Sequence, residues 1–156
     1  MNWDDEQPIE VREIDQADLK AMQEIVGGYV EVIDIDNPSA SIWLNEEGKL
    51  TSLEPNGRTT CLLWVHQSDY RERDYLAGNC FLTGRPNEDG DTTSAPDHFI
   101  DLVTKPTQYR VQVQTLNDDS WSGNRLVFDD WLEAYVWGLG LASRWALVRN
   151  VRIITI

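Results

Sequence analysis

The chain has 156 residues, 41% of them hydrophobic, with seven Trp and a formal charge of −14. That composition excludes global disorder, and the acidic balance disfavours nucleic acid, anionic lipid and free phosphate as partners. The excess is one-sided: residues 1–104 carry 22 Asp/Glu against 7 Lys/Arg, whereas residues 105–156 carry 5 against 6.

Residues 1–14 are acidic and contain Pro8, which reads as a loose arm, ending in a short strand at Ile9 and Val11. The opening Met1-Asn2-Trp3-Asp4 has no basic or apolar signal region, and no apolar run approaches the roughly 18 residues of a membrane span. Asp15 is the expected N-cap of a helix in which Leu19, Met22, Ile25 and Val26 share a face, closed by Gly27-Gly28. Tyr29 to Ile35 alternates as a strand, Asn37-Pro38-Ser39 turns, and Ser41 to Asn45 is a second strand. Glu46 to Lys49 predicts a tight turn with Gly48 at positive φ, and Leu50 to Leu53 the returning strand of that hairpin. Pro55-Asn56-Gly57 predicts a turn, Arg58 to Val65 a helix, and Gly78 to Gly84 a strand.

Residues 85–97 hold four acids, two prolines and no large apolar side chain, so they predict a polar loop. Asp97 opens a short helix with Phe99, Ile100, Leu102 and Val103, and Thr104-Lys105-Pro106 is the expected linker. Beyond it, Tyr109 to Thr115 alternates as a strand, Asn117 to Asp119 turns, and Trp121 to Arg125 predicts a loop. Asp130 with Glu133 has capping-box spacing for a helix running to about Val148, with Leu132, Tyr135, Val136, Leu139, Ala142, Trp145 and Ala146 on one face. Gly138 and Gly140 inside it predict close helix–sheet packing. Val151 to Ile156 closes as a strand. The expected fold is α+β in two small modules, 15–104 and 107–156, each a mostly antiparallel sheet with one or two packed helices. About fifty residues bury little area alone, so the second module is expected to pack on the first or on a second copy.

Four segments lie in order: Met22 to Val32, Trp43 to Leu50, Pro55 to Thr60 and Gly78 to Gly84. Together they resemble an uncharacterised domain family common in bacteriophages, plasmids and actinobacterial prophages, known only as a domain of unknown function. The likeness covers roughly residues 19–100, and Asn45, Asn56 and Arg58 match its pattern; at the two Asn positions a turn residue bonding its own backbone is the plainer explanation. The family usually has a shorter connection where this chain has His66 to Asp74. Trp121 to Phe128, Glu133-Ala134-Tyr135 and Ser143 to Arg149 resemble a second small module of phage and actinobacterial accessory proteins. Neither resemblance carries an activity. Both imply a mobile-element setting, and a small accessory protein rather than a virion part.

The chemistry-bearing residues are few. Cys61, His66, Cys80 and His98 match no compact zinc spacing, and two cysteines build no disulfide framework, so a reduced, cytoplasmic protein without metal or cofactor is expected. Asn87-Glu88-Asp89-Gly90-Asp91 suggests a calcium loop but lacks the ligand ladder and the closing bidentate Glu. His98, beside Asp97, is a candidate base, but no nucleophile is marked near it; Gly-x-Ser-x-Gly and phosphate-binding glycine motifs are missing from the sequence. The expectation is a non-enzymatic protein. Its principal reading is a phage or mobile-element accessory protein that binds and modulates a host factor with a basic surface, a counter-defence inhibitor among the options. Glu88, Asp89, Asp91 and Asp97 would be its docking acids. The alternative is a nucleotide-like signal held by Trp121, Asn124, Arg125 and Arg144 through stacking and bidentate hydrogen bonds, with a homo-oligomer as an option.

Overall fold

The computed structural model describes residues 1–105 and 107–156. Among them the chain forms two compact units: Met1–Thr60 with Asp74–Asp101, and Cys61–Arg73 with Leu102–Ile156. The units are thus interleaved along the chain; the stretch 61–73, which the sequence reading placed in the first module, belongs to the second. The architecture is α+β, with four α-helices and two separate three-stranded antiparallel sheets among the described residues. Pro106, part of the expected linker, lies outside the described residues.

In the first unit, helix α1 (Leu19–Val26) is capped by Asp18, whose carboxylate accepts from the Ala21 N–H. The cap is not Asp15. That carboxylate accepts instead from the Ala17 N–H at 2.9 Å, and the Asp15 carbonyl accepts from Asp18, forming a turn that leads into the cap. An N-cap bonds an N–H two or three residues ahead inside the helix; from Asp15 those residues are Ala17 and Asp18, before the helix begins, whereas Asp18 reaches Ala21. Gly27 ends the helix at φ 74°, as expected.

Strands β1 (Val30–Ile35) and β2 (Ala40–Asn45) pair from Val30↔Asn45 to Ile35↔Ala40 across the 36–39 turn. Strand β3 (Phe81–Thr83) pairs with β2 on its other side, giving the order β1-β2-β3. With both edges of β2 filled, Leu50–Leu53 has no strand to pair with. It forms turns, Leu50 is 84% exposed, and Ser52 rather than Gly48 takes the left-handed conformation. Ile35, Ala40, Ile42 and Leu44 fill the core beside Met22, Val26, Leu76, Ala77 and Cys80. On the other face Trp43 stacks on Phe81 at 5.5 Å, and its indole N–H donates to Thr83 Oγ1 at 2.9 Å.

Helix α2 (Gly57–His66) forms as predicted, but the Pro55-Asn56-Gly57 turn does not: Gly57 is its first residue. The arm expected to be loose is held at several points. The Met1 carbonyl accepts from the Cys80 N–H at 3.0 Å, the Trp3 N–H donates to Asn79 Oδ1, and Arg58 donates to the Gln7 carbonyl at 2.6 Å. Residues 8–14 form no strand. The polar loop and helix α3 (Asp97–Thr104) follow the sequence expectation.

In the second unit, β4 (Tyr109–Thr115), β5 (Asp118–Gly123) and β6 (Val148–Thr155) form a sheet in the order β5-β4-β6. The expected loop at Trp121–Arg125 is strand up to Gly123, where a Cβ would sit 2.9 Å from the Val111 carbonyl. This glycine serves a close strand approach rather than a turn. Helix α4 (Trp131–Arg144) is capped by Asp130, which accepts from the Glu133 N–H at 2.8 Å. It stops at Arg144, because residues from Val148 onward enter the ladder with β4. Its buried line is Ala134, Tyr135 and Gly138; Val136 and Trp145, expected on that face, are 54% and 45% exposed. A Cβ at Gly138 would come 2.8 Å from Val151 Cγ1, so Gly138 sets the close approach to the sheet, whereas Gly140 has nothing of the sheet within 4 Å.

Candidate functional site

The 85–97 loop leaves β3 through a pinch. Gly84 and Thr93 exchange a backbone bridge, and a Cβ on Gly84 would fall 2.1 Å from Thr93 Oγ1 and 2.5 Å from the Ser94 carbonyl. Only glycine allows this closure. Thr93 Oγ1 also donates to the Arg85 carbonyl at 2.8 Å. Inside the pinch, Asn87 Oδ1 accepts from the backbone N–H groups of Asp89 (3.0 Å) and Asp91 (2.9 Å), and the Asn87 N–H donates to the Asp91 carbonyl. Gly90 completes the turn at φ 87°. The residue types explain the shape: an Asx residue mimics a backbone turn, and glycine supplies the left-handed step. The product is an ordered tip carrying Glu88, Asp89 and Asp91, all exposed.

At its root, Arg85 donates to Asp36 Oδ1 at 2.8 Å and to the Ile35 carbonyl at 3.1 Å, with Asp34 Oδ2 at 3.8 Å. The one cation of the loop is therefore committed to the end of β1. Asp97, the fourth predicted docking acid, is exposed in the first turn of α3.

The same bias runs through the whole first unit. It holds 20 Asp/Glu and 5 Lys/Arg, a balance of −15, whereas the second holds 7 and 8, a balance of +1. Each of the five cations already has a carboxylate neighbour: Arg12 with Glu10, Lys20 with Glu24, Lys49 with Asp74, Arg58 with Asp5, and Arg85 with Asp34 and Asp36. An open groove of about 570 Å³ beside Gly27, Gly28, Tyr29 and Asn45 repeats the sign, since it is lined by Glu47 and lies at the carbonyl end of α1.

The three family-pattern residues hold the scaffold. Asn45 Nδ2 donates to the Val26 and Gly27 carbonyls at 3.3 and 3.1 Å, tying down the end of α1, while its Oδ1 accepts from Glu47. Asn56 is fully buried: Oδ1 caps α2 by accepting from the Thr59 N–H at 3.0 Å, and Nδ2 donates to the carbonyls of Gly78 (2.9 Å) and Met1 (3.2 Å). Arg58, 7% exposed, holds the N-terminal segment through Gln7 and Asp5.

The residues proposed for a small ligand are not brought together. Trp121 lies under the Arg152 guanidinium at 4.3 Å, and Arg152 Nε donates to Gln112. Gln112 and Arg152 alternate in register with Val111 and Ile153, which face Gly138 of α4; Trp121 is thus on the side of the sheet away from the helix that carries Arg144. Arg144 folds back onto the Gly140 carbonyl, Asn124 Oδ1 accepts from the Leu126 N–H, and Arg125 is exposed in the intervening bend.

Sequence reasoning missed a contact between half-buried His66 and fully buried Tyr135 in the second unit. His66 Nε2 lies 2.9 Å from the Tyr135 hydroxyl, and burial pushes that hydroxyl's pKa up. Only the apolar surroundings of Tyr135 hinted at it. Burial pushes the Cys80 thiol up to about 11, which makes it a poor nucleophile at neutral pH. Burial likewise lowers the pKa of His98, against an opposing effect from Asp101. Among the described residues no group of three His, Cys, Asp or Glu is placed to hold a metal, and no helix is long and apolar enough to cross a membrane.

Neither a curated protein nor a solved structure matches the chain. The model of one family, described as a domain of unknown function (DUF3846), matches residues 2–108, a span that contains the first sheet, the acid-tipped loop and Asn45, Asn56 and Arg58. On that match the chain belongs to the DUF3846 family.

Proposed function

We propose that this chain is a non-enzymatic accessory protein of a phage or other mobile element, and that it docks its anionic first unit on a basic surface of a host protein in the host cytosol. The observation that carries the reading is the −15 balance of that unit with all five of its cations already engaged by carboxylates. Such a field accelerates encounter with a cationic surface and repels phosphate-bearing ligands. A nucleic-acid-binding defence or regulatory protein offers a surface of the matching sign, toward which the carboxylates would stand in for backbone phosphates. The acid tip is suited to reach it: Glu88, Asp89 and Asp91 project from a loop whose own backbone is hydrogen-bonded, so little ordering is lost on docking.

The test is capture from host lysate with the wild-type chain and with Glu88→Gln/Asp89→Asn/Asp91→Asn. A basic protein should be retained at about 50 mM salt and released by about 500 mM, where screening is nearly complete over a few ångströms. The triple variant should bind it about ten-fold more weakly. A partner held equally at both salt concentrations, or equally by both chains, would overturn the reading.

A further inference from the structure

We propose that the open groove at the end of α1 receives an arginine side chain of the basic partner, an inference that rests on the docking reading above and gives it a second point of contact. The groove holds about 570 Å³, room for a side chain and the backbone that carries it, and is lined by Gly27, Gly28, Tyr29 and Glu47 among others. Three features give it a preference for positive charge. The first is the negative end of α1, whose last turn carries no basic residue. Asn45 and the Gly27 N–H satisfy carbonyls there, but as neutral donors they add no charge. The second is Glu47, exposed on the groove wall; the five cations of its unit are held by other carboxylates. The third is Tyr29, 68% exposed on the same groove, whose ring is accessible to a cation.

The same unit already uses this recognition chemistry once. Lys49 Nζ pairs with Asp74 and sits 5.4 Å from the centroid of the Tyr75 ring, so a carboxylate and a tyrosine together hold one cation. At the groove, Tyr29 and Glu47 offer the same two groups, and among the described residues no cation pairs with Glu47. Arginine is the occupant that fits both, because its planar, weakly hydrated guanidinium can lie on an aromatic ring while its N–H groups donate to a carboxylate. Gly27 and Gly28 add no side chain to their edge of the groove, which lets a partner backbone come close. The −15 balance of the unit concentrates such cations at its surface before either contact forms.

Amide NMR of the full chain, titrated at low salt with N-acetyl-arginine methylamide, tests the groove without the partner. Its neutral isostere, the citrulline analogue, is the control. The arginine probe should give saturable shifts at Gly27, Gly28, Glu47 and Thr51, with a dissociation constant on the order of millimolar, and the citrulline analogue should give none. Tyr29→Ala and Glu47→Gln, both at exposed positions outside the core, should each weaken the probe about three-fold. Glu88→Gln/Asp89→Asn/Asp91→Asn should leave the groove shifts within about two-fold of wild type. Shifts confined to the 88–91 tip, equal shifts with the citrulline analogue, or binding indifferent to both groove substitutions would each overturn the proposal. The two readings fail separately. Salt-sensitive capture of a basic protein with no arginine binding at the groove would sink this inference alone, whereas a groove that binds arginine in a chain that captures no basic protein would sink the docking reading alone.

Discussion

Asn56 joins three backbone segments with one side chain: the start of α2, the strand approach at Gly78 and the first residue of the chain. Replacing it by Ala removes the N–H donor of the buried Gly78 carbonyl and the cap of the Thr59 N–H, while the Met1 carbonyl keeps the Cys80 N–H, so Asn56→Ala should lower unfolding free energy by about 2–4 kcal/mol in urea melts. Asn56→Asp keeps the cap oxygen but turns a buried carboxylate oxygen toward those carbonyls, so it should not recover that loss at neutral pH. The residue type was legible as important from its family pattern, but its partners were not: Met1 and Gly78 lie 55 and 22 positions away, and no local spacing encodes such a contact. Arg58→Ala should leave the fold standing and loosen Asp5 to Gln7, read as faster protease cleavage there, while Met1 and Trp3 stay tied to Cys80 and Asn79. Titration of His98 gives a signed pH effect. Burial lowers its folded pKa below the ordinary 6.5, so its contribution is present above that value and is lost as pH falls through the folded pKa. The melting temperature of wild type should therefore fall between about pH 7 and 5 by more than that of His98→Gln, after matching the carboxylate background common to both.

At the scale of elements, local signals worked where the answer is local. The apolar face and Gly27 cap of α1, the β1–β2 alternation and the Asp130 cap of α4 were all readable from a few adjacent residues. They failed where pairing decides. Leu50–Leu53 follows a turn signal and so reads as the return of a hairpin, yet β3 takes the edge of β2 that it would need. Gly123 looks like a turn residue, and the crowding at Val111 that explains it comes from another strand. The acidic composition marked the docking loop, while its internal order, set by Asn87 and the Gly84 pinch, needed the fold. Asp18→Ala should cost about 1 kcal/mol by thermal or urea melt, and Asp15→Ala distinctly less, which separates the two candidate caps. Gly138→Ala should be net destabilising by about 1 kcal/mol: overpacking against Val151 outweighs the gain in helix propensity.

At the scale of the molecule, the segregation of charge is visible in the linear sequence, because 22 of the 27 acids precede residue 105. The division into units is not, since Cys61–Arg73 crosses it. The family match covers residues 2–108, and Cys61–Arg73 inside that span contributes to the second unit. That interleaving limits how the molecule can be cut. A fragment ending near residue 108, where the family match stops, would retain Leu62, Leu63 and Val65 but discard the sheet and helix of the unit to which they belong, and would leave His66 without Tyr135. Greasy side chains stripped of their shelter clump, so such a truncation should come out of cells as insoluble material, and any module borrowed for engineering must keep both stretches of chain together.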